Sequence, residues 1–404
     1  MIKDRFLDIS KITTDDHILR IFDIVRNHGG TVRFVGGAVR DVLSGRTGFD
    51  LDLSTDLSPD ELAEACEDAG VRTVPIGLKY GTLGVLINDT LLEITSLRKD
   101  IKTDGRHAEV EFTDNWEEDA MRRDLTINAI YADERGNVFD YYNGIHDLEK
   151  GIVRFIGKPE QRIKEDYLRI LRFFRFHSLF AQTPMDKKAL KACIDNRDGL
   201  KNVSIERIRD EFIKILLTPN AADVIKVMLD NEILGNWLGK SEYTDNLDFL
   251  SKLEKSSNIL PNAMRRLFVL YFPNKNLAEN IAMRLHLTKR QKEMLVAWSN
   301  NKIGIENIVE PALRRKVIYA YGKEFCFDKL IIEAAKQMVV PEHLNDIKDM
   351  IFNEIVPIFP VSGRDVIKAG KSENSQIGVV LERLKQDWID SDFSLSREEL
   401  LQRI

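Results

Sequence analysis

Residues 34–52, FVGGAVRDVLSGRTGFDLD, are the stretch on which the rest of the chain depends. Its apolar start predicts a short strand, and the Gly36-Gly37 pair that follows predicts a turn, because glycine adopts backbone conformations that other residues resist. Residues 38–44 suit one or two turns of helix, with a glycine directly after them as a C-terminal stop. A second predicted strand ends in alternating carboxylates. The stretch therefore predicts strand, turn, helix and strand in quick succession.

Two carboxylates close this stretch, Asp50 and Asp52. Residues two apart on a strand share a face, so we expect both side chains on one side of the strand, with Leu51 pointing into the core. Adjacent carboxylates repel each other unless a cation lies between them, and Mg²⁺ with oxygen ligands is a common solution. We therefore predict that Asp50 and Asp52 are the catalytic pair and bind Mg²⁺. The plainer alternative is an exposed acidic strand end.

A phosphate site is predicted beside this pair. Gly36 and Gly37 open a helix, where backbone N–H groups and the helix dipole favour an anion, and Arg40 adds a fork of donors. A phosphate site within about 15 residues of a metal-binding carboxylate pair indicates nucleotidyl transfer by two metal ions. A tight turn without a ligand is the alternative for the glycines alone.

Further motifs carry a family resemblance. GGAVRD and DLD resemble the first motif of the class II tRNA nucleotidyltransferases, the CCA-adding enzymes, and of the related bacterial poly(A) polymerases. The resemblance continues through RRDLTINAI, DYYNGIHDLEKGIVRFIG and EDYLRILRFFRF. Together with the helical pattern of the later residues, it implies an α+β fold. In it, a polymerase-β-like nucleotidyltransferase head with a mixed sheet precedes an all-helical neck, body and tail. The expected boundaries are 1–149 for the head, 150–217 for the neck, 218–290 for the body and 291–404 for a tRNA-binding tail.

The resemblance also implies roles in the RRDLTINAI motif. Arg123 would contact the incoming triphosphate, Asp124 would tie this segment to its neighbours, and Asn128 would contact the nucleotide sugar. Glu93, on a strand predicted over residues 90–97, is open to two interpretations: a third acidic metal ligand or a solvent-facing side chain. Residues 98–118 are polar with weak periodicity and predict a long loop. This region resembles the flexible loop that the family needs for switching from C to A addition.

Other local signals predict elements around these motifs. Ser58 is expected to cap a helix over residues 58–70, with Glu61 as the capping-box partner. Residues 153–156 predict one last strand before the helical part of the chain. Residues 204–211 predict the start of a further helix with Ser204 as its cap, and this segment resembles the family's neck motif that holds the nucleotide-selecting helix in place.

One predicted helix carries the most informative charges of the chain. Three arginines at three-residue spacing lie along one flank of it, among large apolar side chains that predict burial. Ordinary ion pairing along a helix would stabilise it by only ~0.3 kcal/mol per pair, which is too little to explain why three cations lie in a buried helix. We therefore predict nucleotide binding by the charged residues of this segment, which are Glu165, Asp166, Arg169, Arg172 and Arg175.

Asp166 and Arg169 are the predicted base-reading pair, as the resemblance also implies. A carboxylate accepts from the exocyclic amino group of cytosine or adenine, and a guanidinium donates to the adjacent ring nitrogen, whereas UTP and GTP reverse this order. An unpaired buried polar group costs ~1–3 kcal/mol. Two reversed positions would then cost ~2–6 kcal/mol, or roughly 30-fold to over 10⁴-fold discrimination. Selection of CTP and ATP without a nucleic-acid template follows, with Arg172 and Arg175 serving phosphates or base stacking.

Composition sets the remaining bounds. The 404 residues suffice for two or three domains, and the net charge of −6 argues against a uniformly positive surface while leaving room for local RNA-binding patches. Three scattered cysteines support neither a disulfide framework nor a zinc site. With no apolar run near the ~18 residues of a membrane span and no signal-peptide pattern, we expect a cytoplasmic protein without a membrane partner. The oligomeric state is left open.

The predicted activity is CCA addition to tRNA, with the acceptor and T-arm half of the tRNA bound by the helical body and tail. A bacterial poly(A) polymerase is one rival, although such enzymes typically carry a Gly-Arg-Arg-Phe-like stretch where this chain has IGLKY at residues 76–80. An A-adding enzyme that depends on a CC-adding partner is another. A rival of a different class is an inactive RNA-binding protein, against which the retained pairs Asp50/Asp52 and Asp166/Arg169 count.

Overall fold

The computed structural model describes residues 2–13, 15–46, 51–88, 90–103, 108–299, 303–369 and 374–404. Asp50, one of the predicted metal ligands, therefore lies outside the described residues. The chain divides into two compact units, Met1–Lys240 and Ser241–Ile404. The expected α+β architecture is confirmed: a mixed sheet occupies the first part of the chain, and helices form the remainder. The finer division into head, neck, body and tail stays a prediction.

The sheet belongs to the first unit. Eight of the described strands form one mixed sheet in the order β1-β10-β9-β2-β3-β6-β5-β4, in which only β3 and β6 pair in parallel, and β7 and β8 form a separate hairpin. The strands are β1 Ile2–Phe6, β2 Val32–Val35, β3 Asp52–Thr55, β4 Arg72–Gly77, β5 Thr82–Ile87, β6 Thr90–Ser96, β7 Arg98–Thr103, β8 Ala108–Phe112, β9 Ile130–Ala132 and β10 Asn137–Asp140.

Helices accompany the sheet and then replace it. In the first unit they are α1 Asp16–Asn27, α2 Gly37–Leu43, α3 Pro59–Asp68, α4 Trp116–Arg122, α5 Gly144–Glu149, α6 Pro159–Glu165, α7 Arg169–Phe180, α8 Lys187–Asp195, α9 Ile205–Leu216 and α10 Ala221–Asp230. In the second unit they are α11 Thr244–Ser256, α12 Ala263–Tyr271, α13 Lys275–Arg284, α14 Lys289–Trp298, α15 Glu306–Val309, α16 Pro311–Tyr321, α17 Lys323–Gln337, α18 Leu344–Asn353, α19 Gly363–Lys368, α20 Asn374–Asp390 and α21 Arg397–Leu401.

At its central strands β2 and β9 the sheet buries both faces, and alternation along these strands decides which side chain enters which core. Phe34 on β2 and Ile130 on β9 belong to the apolar cluster that α1 and α3 cover. Their chain neighbours Val35 and Tyr131 point to the opposite face and pack with Trp116 of α4. Since the pleat alternates side chains, one short strand supports two cores. Both faces of the central strands are thereby withdrawn from water.

The region after β6 corrects one prediction. Residues 98–118 were expected as a loop, but β7 and β8 pair as an antiparallel hairpin and α4 begins at Trp116. An exposed ion pair between Lys99 and Glu111 joins the two strands at 3.2 Å. The sequence of β7, RKDIKT, shows no clear alternation, but β8 reads AEVEF, and its alternation of apolar and polar residues is a strand signal that the loop prediction overlooked.

The strands β9 and β10 were also missed, for different reasons: β10 has only four residues, NVFD, with two adjacent apolar side chains in the sequence. All three residues of β9 are buried, so this strand lacks the alternation of a half-exposed one. The predicted strand at residues 153–156 is wrong: Phe155 makes an isolated bridge to Leu125 and no longer ladder among the described residues. Strand β1 was also missed.

Local capping rules succeeded at one helix and failed at another. Ser58 and Glu61 form the expected capping box at the start of α3. Ser204 occupies the cap position of α9, but its side chain makes no capping hydrogen bond in the described structure.

Asp52 begins β3 instead of ending a strand, and it is exposed while Leu53 is buried. Leu51 packs against the sheet core as expected.

Candidate active site

A polar cleft of about 590 Å³ lies within the first unit. It collects eleven of the predicted site residues from the β2–α2 turn, from β3, from the segment after α4, and from the start and flank of α7. They are Gly36, Gly37, Arg40, Asp52, Arg123, Asp124, Asn128, Asp166, Arg169, Arg172 and Arg175. Four further residues line it, Asp41, Arg122, Phe176 and Lys214. Seven cations against four carboxylates give the described lining an excess of positive charge, which suits a polyphosphate.

The glycine turn forms one wall of the cleft. Gly36 has a φ of +63°, a conformation that favours glycine over other residues. A side chain at this position would lie 3.8 Å from the Arg123 guanidinium and 3.6 Å from the carbonyl oxygen of Asn128. The turn thus brings backbone and an arginine together at the point where a phosphate was predicted.

Asp52 and Glu93 occupy paired positions on neighbouring parallel strands. In the β3–β6 ladder they are direct register partners, and both are exposed. Since paired residues of adjacent strands share a face of the sheet, both carboxylates face the same side. This favours Glu93 as a further oxygen ligand over an unrelated surface residue. Within the described part of the chain no three His, Cys, Asp or Glu side chains converge as a metal site, and Asp50 lies outside that part.

Arg40 is held by two partners. It is buried, its Nε donates to Asp41 at 2.9 Å, and its Nη1 donates to the side-chain oxygen of Asn128 at 2.5 Å. The guanidinium also lies 4.8 Å from the ring centre of Phe176. Burial lowers the pKa of the Arg40 guanidinium, although Asp41 opposes this. The predicted phosphate ligand is therefore fixed in position by the protein.

Arg123 is held by a buried carboxylate and a tyrosine. Its guanidinium donates to Asp119 at 3.0 Å and to the hydroxyl of Tyr131 at 3.1 Å. Burial by itself raises the pKa of Asp119, but Arg123 and Arg122 outweigh burial and hold this pKa at about 2. Asp119 is thus an ionised, fully enclosed anchor for two arginines that line the cleft.

Asp124 joins the second motif to α7. One carboxylate oxygen accepts from the backbone N–H of Leu125 and from the Asn128 amide, and the other accepts from Nε of Arg172 at 2.6 Å. Burial raises the pKa of the Asp124 carboxyl, yet the guanidinium of Arg172 outweighs this, so the pKa lies well below its ordinary value. The residues of the two motifs that are predicted to bind nucleotide are therefore joined by hydrogen bonds into one unit.

The predicted base-reading pair is fixed at the start of α7. Asp166 accepts from the backbone N–H of Leu168 at 3.0 Å and from Arg207 of α9 at 2.7 Å. Arg169 donates to Glu165 at 2.6 Å and to the backbone oxygens of Arg162 and Arg122. Both side chains are partly exposed towards the cleft. The structure thus orients both groups before any ligand binds.

Glu165 has a different place from the one predicted. Its carboxylate bridges Arg162 and Arg169, each at 2.6 Å, and it is not part of the cleft lining. It therefore acts on the cleft through Arg169. At the other end of the lining, Arg175 pairs with Glu211 of α9 at 2.5 Å and lies 4.3 Å from the ring centre of Phe176.

Sequence reasoning missed Asp119 as a supporting carboxylate, and it predicted α9 as structural support without naming the side chains that make the contacts. Asp119 precedes Arg123 by four residues, a spacing that signals a helical ion pair. Arg207, Glu211 and Lys214 recur at i, i+4 and i+7 and so share one face of α9. This periodicity was available in the sequence, but nothing local indicated that this face meets α7.

Comparisons with known proteins agree with this architecture. Residues 32–154 match the Poly A polymerase head domain family, and residues 184–239 match the family described as the probable RNA and SrmB-binding site of polymerase A. The fold and the cleft thus define a nucleotidyltransferase with a poly(A) polymerase-type head.

None of the helices within the described residues is long and apolar enough to cross a bilayer.

Full-length relatives narrow the class. The chain is 34% identical over 389 residues to the human mitochondrial CCA tRNA nucleotidyltransferase 1, covering 94% of this chain and 87% of the relative. It is 30% identical to the CCA-adding enzyme of Lactobacillus johnsonii, with 91% of each chain covered. The crystal structure of the Bacillus stearothermophilus CCA-adding enzyme in complex with CTP superposes with a TM-score of 0.78 at 25% identity, covering 96% of this chain and 97% of that one. The chain belongs to the CCA tRNA nucleotidyltransferase family and is an enzyme of that family.

Proposed function

We propose that this chain adds C, C and A to the 3′ end of tRNA, using CTP and ATP and releasing pyrophosphate. Its relatives are named as CCA tRNA nucleotidyltransferases and CCA-adding enzymes, and matches extend over nine-tenths of the chain. The single observation that carries the residue-level proposal is the cleft, which unites residues from positions 36 to 175. Its positive lining suits a triphosphate, and its paired polar groups suit a base edge.

The metal-binding proposal rests on the chemistry of the donor set. Asp52 and Glu93 present carboxylates on one side of the sheet, beside the positive cleft, and hard oxygen donors of this kind suit Mg²⁺. Asp52, Asp50 and Glu93 would hold the metal. Bound there, Mg²⁺ would increase the acidity of the RNA 3′-hydroxyl and offset the charge of the triphosphate.

The phosphate-binding proposal rests on the residues around the glycine turn. Gly36 and Gly37 let backbone approach a phosphate closely, and Arg123 lies against the turn. Arg40, Arg123 and Arg172 are each held by carboxylates, so their geometry is set before the nucleotide arrives. Such preorganised donors stabilise charge that moves onto the leaving pyrophosphate.

The base-selection proposal rests on the hydrogen-bond donors of Arg169 and acceptors of Asp166 that no protein group uses in the described structure. In the described structure Arg169 uses three N–H donors on protein oxygens, which leaves two of its five for a ligand. Asp166 accepts one hydrogen bond at each oxygen, which leaves a further acceptor site on each. A free acceptor beside a free donor matches the edge that cytosine and adenine share. Uracil and guanine present the reverse order.

The proposal is tested with tRNA transcripts that end at the discriminator base, at C and at CC. Each is offered each of the four labelled nucleotides, alone and combined, with Mg²⁺. We expect C addition to the first two, A addition to the third, and a stop after CCA. EDTA should abolish addition and excess Mg²⁺ should restore it. The Asp52→Ala variant should lose at least 10³-fold in rate, as expected for a residue that holds the catalytic metal.

Other products would support the rival activities. Long A tails indicate a poly(A) polymerase, and addition of A only to CC ends indicates an A-adding enzyme. Tight tRNA binding without incorporation indicates an inactive RNA-binding protein. The inferred partner is the acceptor and T-arm half of tRNA, so a minihelix of that half should compete with full-length tRNA. We also infer a cytoplasmic location, although the human relative is named as mitochondrial.

A further inference from the structure

Lys214 enters the cleft from α9 and is not among the predicted site residues. It follows Arg207 and Glu211 at helical spacing, so all three side chains lie on one face of α9. Arg207 contacts Asp166 and Glu211 contacts Arg175, which shows that this face of α9 packs against the start and the flank of α7. Lys214 lines the cleft at the next turn and is exposed to solvent.

Lys214 differs from the other cations of the cleft in its pairing. Each of the six arginines in the lining has a carboxylate partner within 3.2 Å. These pairs are Arg40–Asp41, Arg122–Asp119, Arg123–Asp119, Arg169–Glu165, Arg172–Asp124 and Arg175–Glu211. Among the described residues Lys214 has neither an ion-pair partner nor a side-chain hydrogen bond.

An unpaired ammonium in this position faces a cleft that already carries excess positive charge. Like charges repel, so an anion that enters the cleft gains a favourable interaction with this ammonium group. The carboxylates nearest in sequence on its own helix, Asp210 and Glu211, are bound to Arg209 and Arg175. The complementary ligand must therefore come from outside the described chain. Lysine, a compact charge on a flexible stem, is a common ligand for phosphate oxygens.

We propose that Lys214 binds a phosphate group of one of the two substrates during nucleotide addition. This inference rests on the proposed function, and two sources can supply the phosphate: the triphosphate of the incoming nucleotide or a phosphodiester near the 3′ end of the RNA. Both carry the same oxygen acceptors. If the triphosphate is the ligand, nucleotide binding depends on Lys214. If the phosphodiester is the ligand, RNA binding depends on it.

The test compares Lys214→Met, Lys214→Arg and Lys150→Met with the unaltered enzyme. Lys150 is also exposed, has no ion-pair partner in the described structure and does not line the cleft, so its variant removes the same charge elsewhere. We measure KM for ATP and CTP at saturating RNA, and RNA binding at several salt concentrations. A nucleotide contact predicts that Lys214→Met raises both KM values roughly fivefold. An RNA contact instead predicts a salt dependence weaker by about 0.7 in the log–log slope.

Lys214→Arg should restore most of either effect, because it keeps the charge. The proposal is overturned if Lys214→Met and Lys150→Met behave alike in both measurements, with thermal unfolding showing both variants folded. If the two variants behave alike while the unaltered enzyme adds CCA, the proposal for Lys214 fails and the proposed function still stands. Absence of CCA addition by the unaltered enzyme would instead overturn the proposed function.

Discussion

Arg207 is the residue whose substitution tests the base-selection geometry most directly. It lies on α9 and donates to Oδ2 of Asp166 at 2.7 Å, while Oδ1 of Asp166 accepts from the backbone N–H of Leu168. The Arg207→Met variant keeps the stem of the side chain and removes this second restraint. The Asp166 carboxylate can then rotate, so it offers a less fixed acceptor to cytosine or adenine.

The expected magnitude follows from the exposure of the pair. A hydrogen bond between charged groups contributes ~1.5–3 kcal/mol. Because the Arg207 and Asp166 side chains are 38% and 26% exposed, water screens them, and we expect a contribution below that range, ~1 kcal/mol. This corresponds to a roughly fivefold lower kcat/KM for CTP and ATP. UTP gains nothing from the carboxylate, so the preference for CTP over UTP should narrow by a similar factor.

The assay is single-nucleotide incorporation into a transcript ending at the discriminator base, with CTP and UTP measured separately. Arg209→Met is the matched control, since Arg209 lies on the same helix and pairs with Asp210. In a double-mutant cycle, adding Arg207→Met to Asp166→Ala should cost almost nothing more, because the shared partner is already gone. An additive second loss, or an unchanged CTP preference in the single variant, would refute the reasoning.

Two further predictions concern the residues behind the cleft. Asp119 has a folded-state pKa of about 2 against an ordinary 3.8, so its ionised form contributes about 2 kcal/mol above pH 5, and this is lost as the pH falls from 4 towards 2. In urea unfolding, the stability difference between the unaltered enzyme and Asp119→Asn should therefore be constant from pH 5 to 7 and shrink below pH 4; a constant difference at all pH values would contradict this. Glu165→Gln keeps the shape of the bridge to Arg169 but removes its charge, so KM for CTP and ATP should rise roughly tenfold with kcat nearly unchanged. A fall in kcat at constant KM would show that Glu165 acts on the chemical step.

Much of the site was predictable because its signals are local. The glycine turn and the arginines at three-residue intervals each follow from the geometry of a single element, whereas the prediction that Asp50 and Asp52 share a strand face stays a prediction, since Asp50 lies outside the described residues. The same holds for the capping box of α3, where Ser58 and Glu61 lie three residues apart. The resemblance then supplied the order of the motifs, and the structure gathers eleven of the predicted residues in one cleft.

The strands that were missed show where local signals end. The strand β9 is buried on both faces, and the hairpin β7–β8 has polar, exposed side chains such as Lys99 and Glu111. β9 and β7 lack the alternation that marks a half-buried strand, whereas β8, AEVEF, shows it over only five residues. Their pairing depends on which strand lies alongside, which is a property of the sheet as a whole.

By itself, the sequence determined the chemistry available to this enzyme: which charges it carries, and on which face of which element they lie. The tertiary structure alone decided the partners, because Asp166 meets Arg207, Arg172 meets Asp124, and Arg175 meets Glu211 at sequence separations of 36 to 48 residues. No helical or strand period spans such a separation. Only the packing of α9 and of the second motif against α7 brings those groups within hydrogen-bonding distance, and it leaves Lys214 as an unpaired cation in the described cleft.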